Sequence, residues 1–333
     1  MAILLIDAGG TISSRPGEGG ALVECPAADM AGLPDLPAGV VMIVERAYAG
    51  LSENMDFSDM TSVARAVLDG QARADVDGIV VAHGADIMEE CAYLCDLVTP
   101  CAKPVVFTGA QRAPGAPDFD GATNLRDAVA VAQHPMAASL GVLIAFGSRI
   151  IPAVHAYKCH TSALAAFAGH GANVGSVAGD AVRLPQSRTR PAPLVLCEAG
   201  EDVVLLKLTA AMPARLIEAV TAAGYRALVI EGLGAGNAPD AVVEAVAAAC
   251  MRELTVAIGT RCPGGESGGA YDSGRRLMAA GALSCGRLPA VQARILLCLL
   301  FAEGRQPDDI AQTFKWHVTS LTQTERGASE DAA

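Results

Sequence analysis

Three short polar runs in this chain of 333 residues carry groups that chemistry can use. Gly9-Gly10-Thr11 sets a hydroxyl beside two glycines. His83-Gly84-Ala85-Asp86 offers an imidazole and a carboxylate. Thr108-Gly109-Ala110-Gln111-Arg112 offers a hydroxyl, an amide and a guanidinium. Glycine lets backbone come close to a ligand, and such side chains bind polar groups or move protons. Each run alone suits a turn and a helix cap equally well, because Gly with a small polar residue is ordinary loop chemistry. Their positions set them apart. Each follows a short apolar run, at residues 3–7, 78–82 and 104–107. Ligands of parallel α/β sheets bind beyond the carboxyl ends of the strands. The three runs would then meet along one sheet edge.

The elements around them fit that geometry. A further strand-like run lies at 40–45, and 141–146 is another. Helical spacing appears at 57–68, 88–98 and 122–132. Strands alternating with helices imply a parallel sheet with crossover helices. Residues 184–193 hold three prolines and two arginines without apolar periodicity, which suits a linker. A second alternating block follows, with strands at 203–208, 227–231 and 254–258 and helices at 214–222, 241–251 and 291–301. The reading is two α/β domains: 1–183, with a mostly parallel sheet and the catalytic residues, and a smaller one at 194–326. Residues 327–333 read as a frayed tail.

Composition excludes several classes of protein. Hydrophobic residues make up 52% and charged residues 18%, which marks a globular chain. The net charge of −12 argues against nucleic acid or an anionic membrane as the main partner. No apolar run approaches the length of about 20 residues that a membrane span needs. The ten cysteines include no C-x-x-C pair, and no secretory leader is evident. Most of them read as buried thiols in a reducing compartment, so the expected location is cytoplasmic. No cluster suggests a metal or organic cofactor, so none is expected.

The motifs resemble those of the bacterial-type L-asparaginases, the asparaginase/glutaminase amidohydrolases. Ile6-Asp7-Ala8-Gly9-Gly10-Thr11-Ile12 resembles the first family signature, and His83-Gly84-Ala85-Asp86-Ile87-Met88-Glu89-Glu90 the second. Lys103–Arg112, Asp120-Gly121-Ala122-Thr123-Asn124-Leu125 and Tyr157-Lys158-Cys159-His160-Thr161 follow in the family's order. So does Gly232-Leu233-Gly234-Ala235-Gly236-Asn237 in the second domain. The resemblance implies a two-domain α/β fold and hydrolysis of a small amino-acid-derived amide. It assigns Thr11 as nucleophile, with Asp86 and Lys158 handling protons. Gly10, Ser52, Glu53, Gly84 and Ala110 would bind substrate, Ser52 and Glu53 at its amino-acid end. It also implies a homodimer or homotetramer, in which Asn237 and Glu266 could reach a neighbouring subunit's site.

Two departures bear on activity. Ala85 stands where the family has its second catalytic threonine, so that triad lacks a hydroxyl. The segment 13–26, which matches the family's lid, contains no tyrosine. Glu24, thirteen residues after Thr11, falls about where that tyrosine would, and a carboxylate there could accept the Thr11 proton. A solvated loop residue is the equal alternative. Ala85 fits either an engineered replacement of a threonine beside an intact Asp86 and Lys158 or a natural loss of the group. Two further functions therefore stand beside the amidohydrolase: a ligand sensor without turnover, and a lyase or cyclase on the same fold.

Overall fold

The computed structural model describes residues 1–16, 22–24, 39–170, 174–186, 189–198, 200 and 202–330; at 15, 16, 22–24 and 322–330 only the backbone is described. The chain forms two compact units. The first comprises Met1–Ser187 with Ala192–Leu196, and the second Arg188–Pro191 with Cys197–Ala333.

The first unit is built on an eight-stranded sheet. In chain order its strands are β1 (Ala2–Ala8), β4 (Val41–Arg46), β5 (Gly78–His83), β6 (Val105–Thr108), β7 (Val142–Phe146), β8 (Arg149–Pro152), β11 (Gly175–Ala178) and β12 (Ala181–Arg183). The spatial order is β12-β11-β8-β7-β6-β5-β1-β4. The five strands from β4 to β7 pair in parallel, and β8, β11 and β12 add antiparallel edges. The runs in β1, β5, β6 and β7 are almost wholly buried. Strands covered on both faces need continuous apolar sequence, and these have it up to their carboxyl ends.

Helices α1 (Phe57–Ala72), α2 (Met88–Val98) and α3 (Gly121–Ala132) make the crossovers. Leu125, Ala128, Val129 and Ala132 of α3 pack on Leu5, Val80, Val106 and Leu143 in one buried cluster. A capping box opens α1: the Asp56 carboxylate accepts the Asp59 N–H at 2.9 Å, and the Asp59 carboxylate accepts the Asp56 N–H at 3.1 Å. Such caps stabilise by about 1 kcal/mol.

The structure adds detail where the sequence reading has none. Residues 14–24, read as loop, contain a small antiparallel ribbon of β2 (Ser14–Pro16) and β3 (Leu22–Glu24), with Glu24 opposite Ser14. Between β8 and β11 lie β9 (Ala156–Lys158) and β10 (Phe167–Gly169), paired antiparallel with Lys158 opposite Phe167. Strands of three residues are too short for a period of two to stand out.

The second unit carries a parallel sheet ordered β13 (Val203–Lys207), β14 (Ala227–Gly232), β15 (Thr255–Thr260) and β16 (Leu283–Ser284). Helices α4 (Arg215–Ala222), α5 (Asp240–Cys250) and α6 (Asp272–Ala279) supply Ile217, Val242, Val246 and Leu277 to a core with Leu228, Ile230, Val256 and Ile258. The apolar α7 (Ala290–Ala302) packs on β13, β14 and β15. The final helix α8 (Pro307–Glu330) corrects the sequence reading, which has no helix here and a frayed tail from 327. Ile310, Phe314, Val318 and Leu321 give its first turns a buried helical stripe that the sequence reading passes over, while its carboxyl-terminal turns are polar; 331–333 lie outside the described residues. Among the described residues no helix is long and apolar enough to cross a membrane.

Candidate active site

The polar run after β1 is shaped by a buried carboxylate. Asp7, with no exposed surface, accepts the Gly9 N–H at 3.0 Å and the Ser13 hydroxyl at 2.7 Å through Oδ1. Its Oδ2 meets Arg46 Nε and Nη2, both at 2.9 Å. Asp7 therefore pins both ends of the turn and binds it to the neighbouring β4. Thr11 opens a 3-10 turn within this loop and is half-buried.

Two backbone contacts fix where the turn lies. Gly10 donates its N–H to Gly50 O at 2.8 Å. Gly10 has a φ of 82°, and a Cβ there would stand 2.3 Å from the Gly84 Cα. The loops after β1 and β5 thus touch backbone to backbone, which only glycine permits at such a distance and φ. Thr11 and Ala85 are each one residue beyond this contact.

Ser52 closes the next side. It begins a 3-10 turn and is buried. A Cβ on Gly84 would lie 2.5 Å from the Ser52 Oγ, and that Oγ accepts the Asp86 N–H at 3.3 Å. Glu53, beside it, is exposed. The adjoining β6 loop is held by Asp120, whose carboxylate accepts the N–H groups of Gln111 and Arg112 and the Asn124 amide. Ala110 is buried there. His83 donates from Nδ1 to Gly84 O at 2.7 Å, so its imidazole braces the loop.

Lys158, the last residue of β9, reaches Asp86. Its Nζ stands 2.5 Å from the Asp86 Oδ1, with the lysine side chain largely covered and the aspartate half open to solvent. A cleft of about 400 Å³ is lined by Asp86, Glu89, Lys158, Cys159, His160 and Thr161. Its outer wall is tied down from the β6 loop: Gln111 Nε2 donates to Thr161 O at 2.6 Å and Arg112 Nη1 to Ser162 O at 2.8 Å. Burial pushes the Glu89 carboxyl up to about 7.

The structure therefore gathers Gly10, Thr11, Ser52, Gly84, Ala85, Asp86 and Lys158 around the carboxyl edge of β1 and β5. Thr11 does not line the cleft itself. The Glu24 side chain lies outside the described residues, as do 17–21, 25 and 26 of the proposed lid. Asn237 and Glu266 belong to the second unit. Asn237 accepts the Ser273 hydroxyl at 3.1 Å, and Glu266 is exposed, 4.0 Å from Arg287. Asp7, Arg46 and Glu89 escape the sequence reading. Asp7 leaves a signal, an acid closing an apolar strand just before Gly-Gly; Glu89 leaves only its place in the second motif, with nothing to mark its partner. Among the described residues no group of three or more His, Cys, Asp or Glu is placed to hold a metal ion.

Fold and site define a two-domain α/β protein with polar loops gathered at the carboxyl edge of its larger sheet. The family profile "Asparaginase, N-terminal" matches residues 2–190, and "Glutaminase/Asparaginase C-terminal domain" matches residues 202–314. The chain belongs to the asparaginase family. It is 33% identical over 326 residues to a probable L-asparaginase of Deinococcus radiodurans, covering 94% of this chain and 96% of that one. A glutamyl-tRNA(Gln) amidotransferase component of Methanothermobacter thermautotrophicus is 29% identical over 78% of this chain and 61% of its own. In fold the chain is similar to the thermostable L-asparaginase from Thermococcus kodakarensis, with a TM-score of 0.86 at 24% identity over 96% of this chain and 98% of that one.

Proposed function

We propose that this chain is an amidohydrolase that cleaves a small amino-acid-derived amide with Thr11 as nucleophile. The observation that carries the proposal is the Lys158–Asp86 pair, held at 2.5 Å on the loop against which the Thr11 turn packs through Gly10 and Gly84. Family membership and the similarity to the Deinococcus relative named an L-asparaginase support amide hydrolysis. The names of the amidotransferase relatives fit the same amide chemistry. In this reading the Thr11 hydroxyl adds to the amide carbonyl. The C–N bond breaks, ammonia or an amine leaves with a proton, and water then hydrolyses the Thr11 ester. Lys158 and Asp86 move protons, Ser52 and Glu53 hold the substrate's amino-acid end, and Gly10, Gly84 and Ala110 form the wall beside it. The working unit is a homodimer or homotetramer in the cytoplasm, with Asn237 and Glu266 facing a neighbour's site.

Ala85 sets a limit on this activity. The Lys158–Asp86 pair has no hydroxyl beside it at position 85. Losing one member of a cooperating catalytic set costs on the order of 10⁴–10⁶ in turnover. The chain as it stands is expected to release ammonia from L-asparagine slowly or not at all. Ala85→Thr is expected to raise the rate by orders of magnitude, and Thr11→Ala in that background to abolish it. Turnover of tens per second by the unaltered chain would overturn this placement of the second triad.

Ala85 also favours one second reading, a sensor that binds an amino acid without turnover. Tight binding of L-asparagine or L-aspartate, with no ammonia released even after Ala85→Thr, would establish it. A product formed without uptake of labelled water oxygen would point to the lyase or cyclase. For Glu24, the test is Glu24→Gln in the Ala85→Thr background. A large fall in turnover is expected if its carboxylate takes the Thr11 proton, and unchanged turnover removes it from the mechanism.

A further inference from the structure

Glu89 stands in the first turn of α2, and none of the roles above uses it. Its Oε1 accepts the backbone N–H of Lys158 at 3.3 Å. It therefore ties the helix that follows Asp86 to the strand that carries the lysine. Its Oε2 is shut off from solvent and has no hydrogen-bond partner, although the side chain lines the cleft with Asp86, Lys158 and His160. A buried carboxylate oxygen without a donor is costly, whereas a protonated carboxyl leaves a neutral O–H at that atom.

We propose that Glu89 is a positioning residue of this site: its carboxyl group, held on the Lys158 N–H, sets where the Lys158 ammonium stands on Asp86, and the proton it carries at Oε2 makes that alignment respond to pH. As a statement about catalysis this rests on the amidohydrolase reading. Burial is the main cause that raises Glu89 to about 7, and the charge of Glu90 adds to it. The N–H groups of Glu89 and Lys158 and the Lys158 charge act the other way. Asp86 and His160 share the cleft, the buried imidazole of His83 on β5 feels the Glu89 charge, and β9, packed on α2, carries Tyr157 beside Lys158. His155 stands on the 3-10 turn that packs against α2, and β7, also packed there, carries no titratable side chain. On α1, Asp59 is held in the capping box, and Arg65 and Asp69 are exposed. When Glu89 ionises, a second carboxylate faces an ammonium that Asp86 already holds, and the two divide its attraction.

The test needs no substrate, so its failure is distinct from failure to hydrolyse an amide. Lys158 is acylated with trace acetic anhydride across pH, and the extent is read by peptide mass spectrometry against the exposed Lys315. In parallel, ¹³C NMR follows the glutamate carboxyl signals. The Lys158/Lys315 ratio is expected to change near the pH at which Glu89 titrates. Glu89→Gln keeps an acceptor for the Lys158 N–H but cannot ionise, and is expected to abolish that change. Glu89→Leu removes the acceptor and is expected to raise Lys158 labelling severalfold. An inflection that persists in Glu89→Gln would overturn the proposal. So would a Glu89 signal that titrates with the exposed glutamates. If Glu89→Gln fails to fold, coincidence of the two titrations in the native chain decides: matching midpoints support the proposal and separate midpoints refute it.

Discussion

Asp7 and Glu89 are two carboxyl groups at the same sheet edge with opposite demands on their surroundings. Asp7 receives N–H, O–H and guanidinium donors on its two oxygens. Asp7→Ala would leave the Gly9 N–H and the Ser13 hydroxyl without that acceptor and deprive Arg46 of its carboxylate. Arg46 is one-third exposed, which moderates the loss. About 3 kcal/mol of stability is the expected cost, read from urea unfolding. Glu89, with one oxygen lacking a donor, makes stability depend on pH. Its pKa in the folded chain, about 7, lies above the ordinary 4.5. Between those values the folded chain holds a proton that the unfolded chain has released. Stability therefore falls as pH rises from about 4.5 to 7, by about 3 kcal/mol in all. Glu89→Gln should remove this fall. Its melting temperature is expected to gain on the native chain through that window and to keep the gain above it. Equal melting curves at pH 5 and pH 8 would contradict the assignment. Thr11, Asp86 and Lys158 were legible in the sequence because each sits in a motif. Glu89 lies in the second motif too, but its role was not legible there, because its partner is a backbone N–H from 69 residues away.

The elements that carry the site were legible to different degrees. The residues of β1, β5, β6 and β7 form apolar runs ending at polar turns, and the helices between them keep their spacing. That pattern suffices to place the parallel core and its functional edge. The ribbon of β2 and β3 and the pair of β9 and β10 were not legible. Their strands are three residues long, and their pairing is fixed by tertiary contacts. The junction of the first two loops makes a prediction of its own. Gly10→Ala would drive a methyl group into the Gly84 backbone at a φ that L side chains avoid. Loss of several kcal/mol, or failure to accumulate folded protein, is expected in thermal melts. A melting temperature within a degree of the native chain would show that the two loops do not meet in this way.

The whole molecule is two α/β units, each closed around its own apolar core. Among the described residues nine cysteines are present as thiols, with Cys91, Cys95, Cys101, Cys285 and Cys298 buried. Their stabilising work is packing, so dithiothreitol is expected to leave the melting temperature unchanged. A drop of many degrees would reveal a structural disulfide and contradict the proposed cytoplasmic location. The double α/β pattern was readable from alternating apolar runs. The identity of the chemistry was not, because periodicity reports burial and is silent on which atoms converge. Motif resemblance supplied that part.

Gly84 and Ala85 divide two duties between adjacent positions. Gly84 meets Gly10 and Ser52, so any side chain there disturbs the architecture. Ala85 carries its side chain beside Asp86, where a change alters which groups are available to react. Fold and reactivity can therefore be inherited separately. A lineage could gain or lose a hydroxyl at 85 by one substitution while the surrounding backbone stays as it is. This corner of the protein is accordingly open to changes of activity through small side chains at 85 and closed to changes of shape at 84. Saturation mutagenesis should show it: Ser and Thr at the buried position 85 accumulating as folded protein with differing activity, and almost no variants at 84.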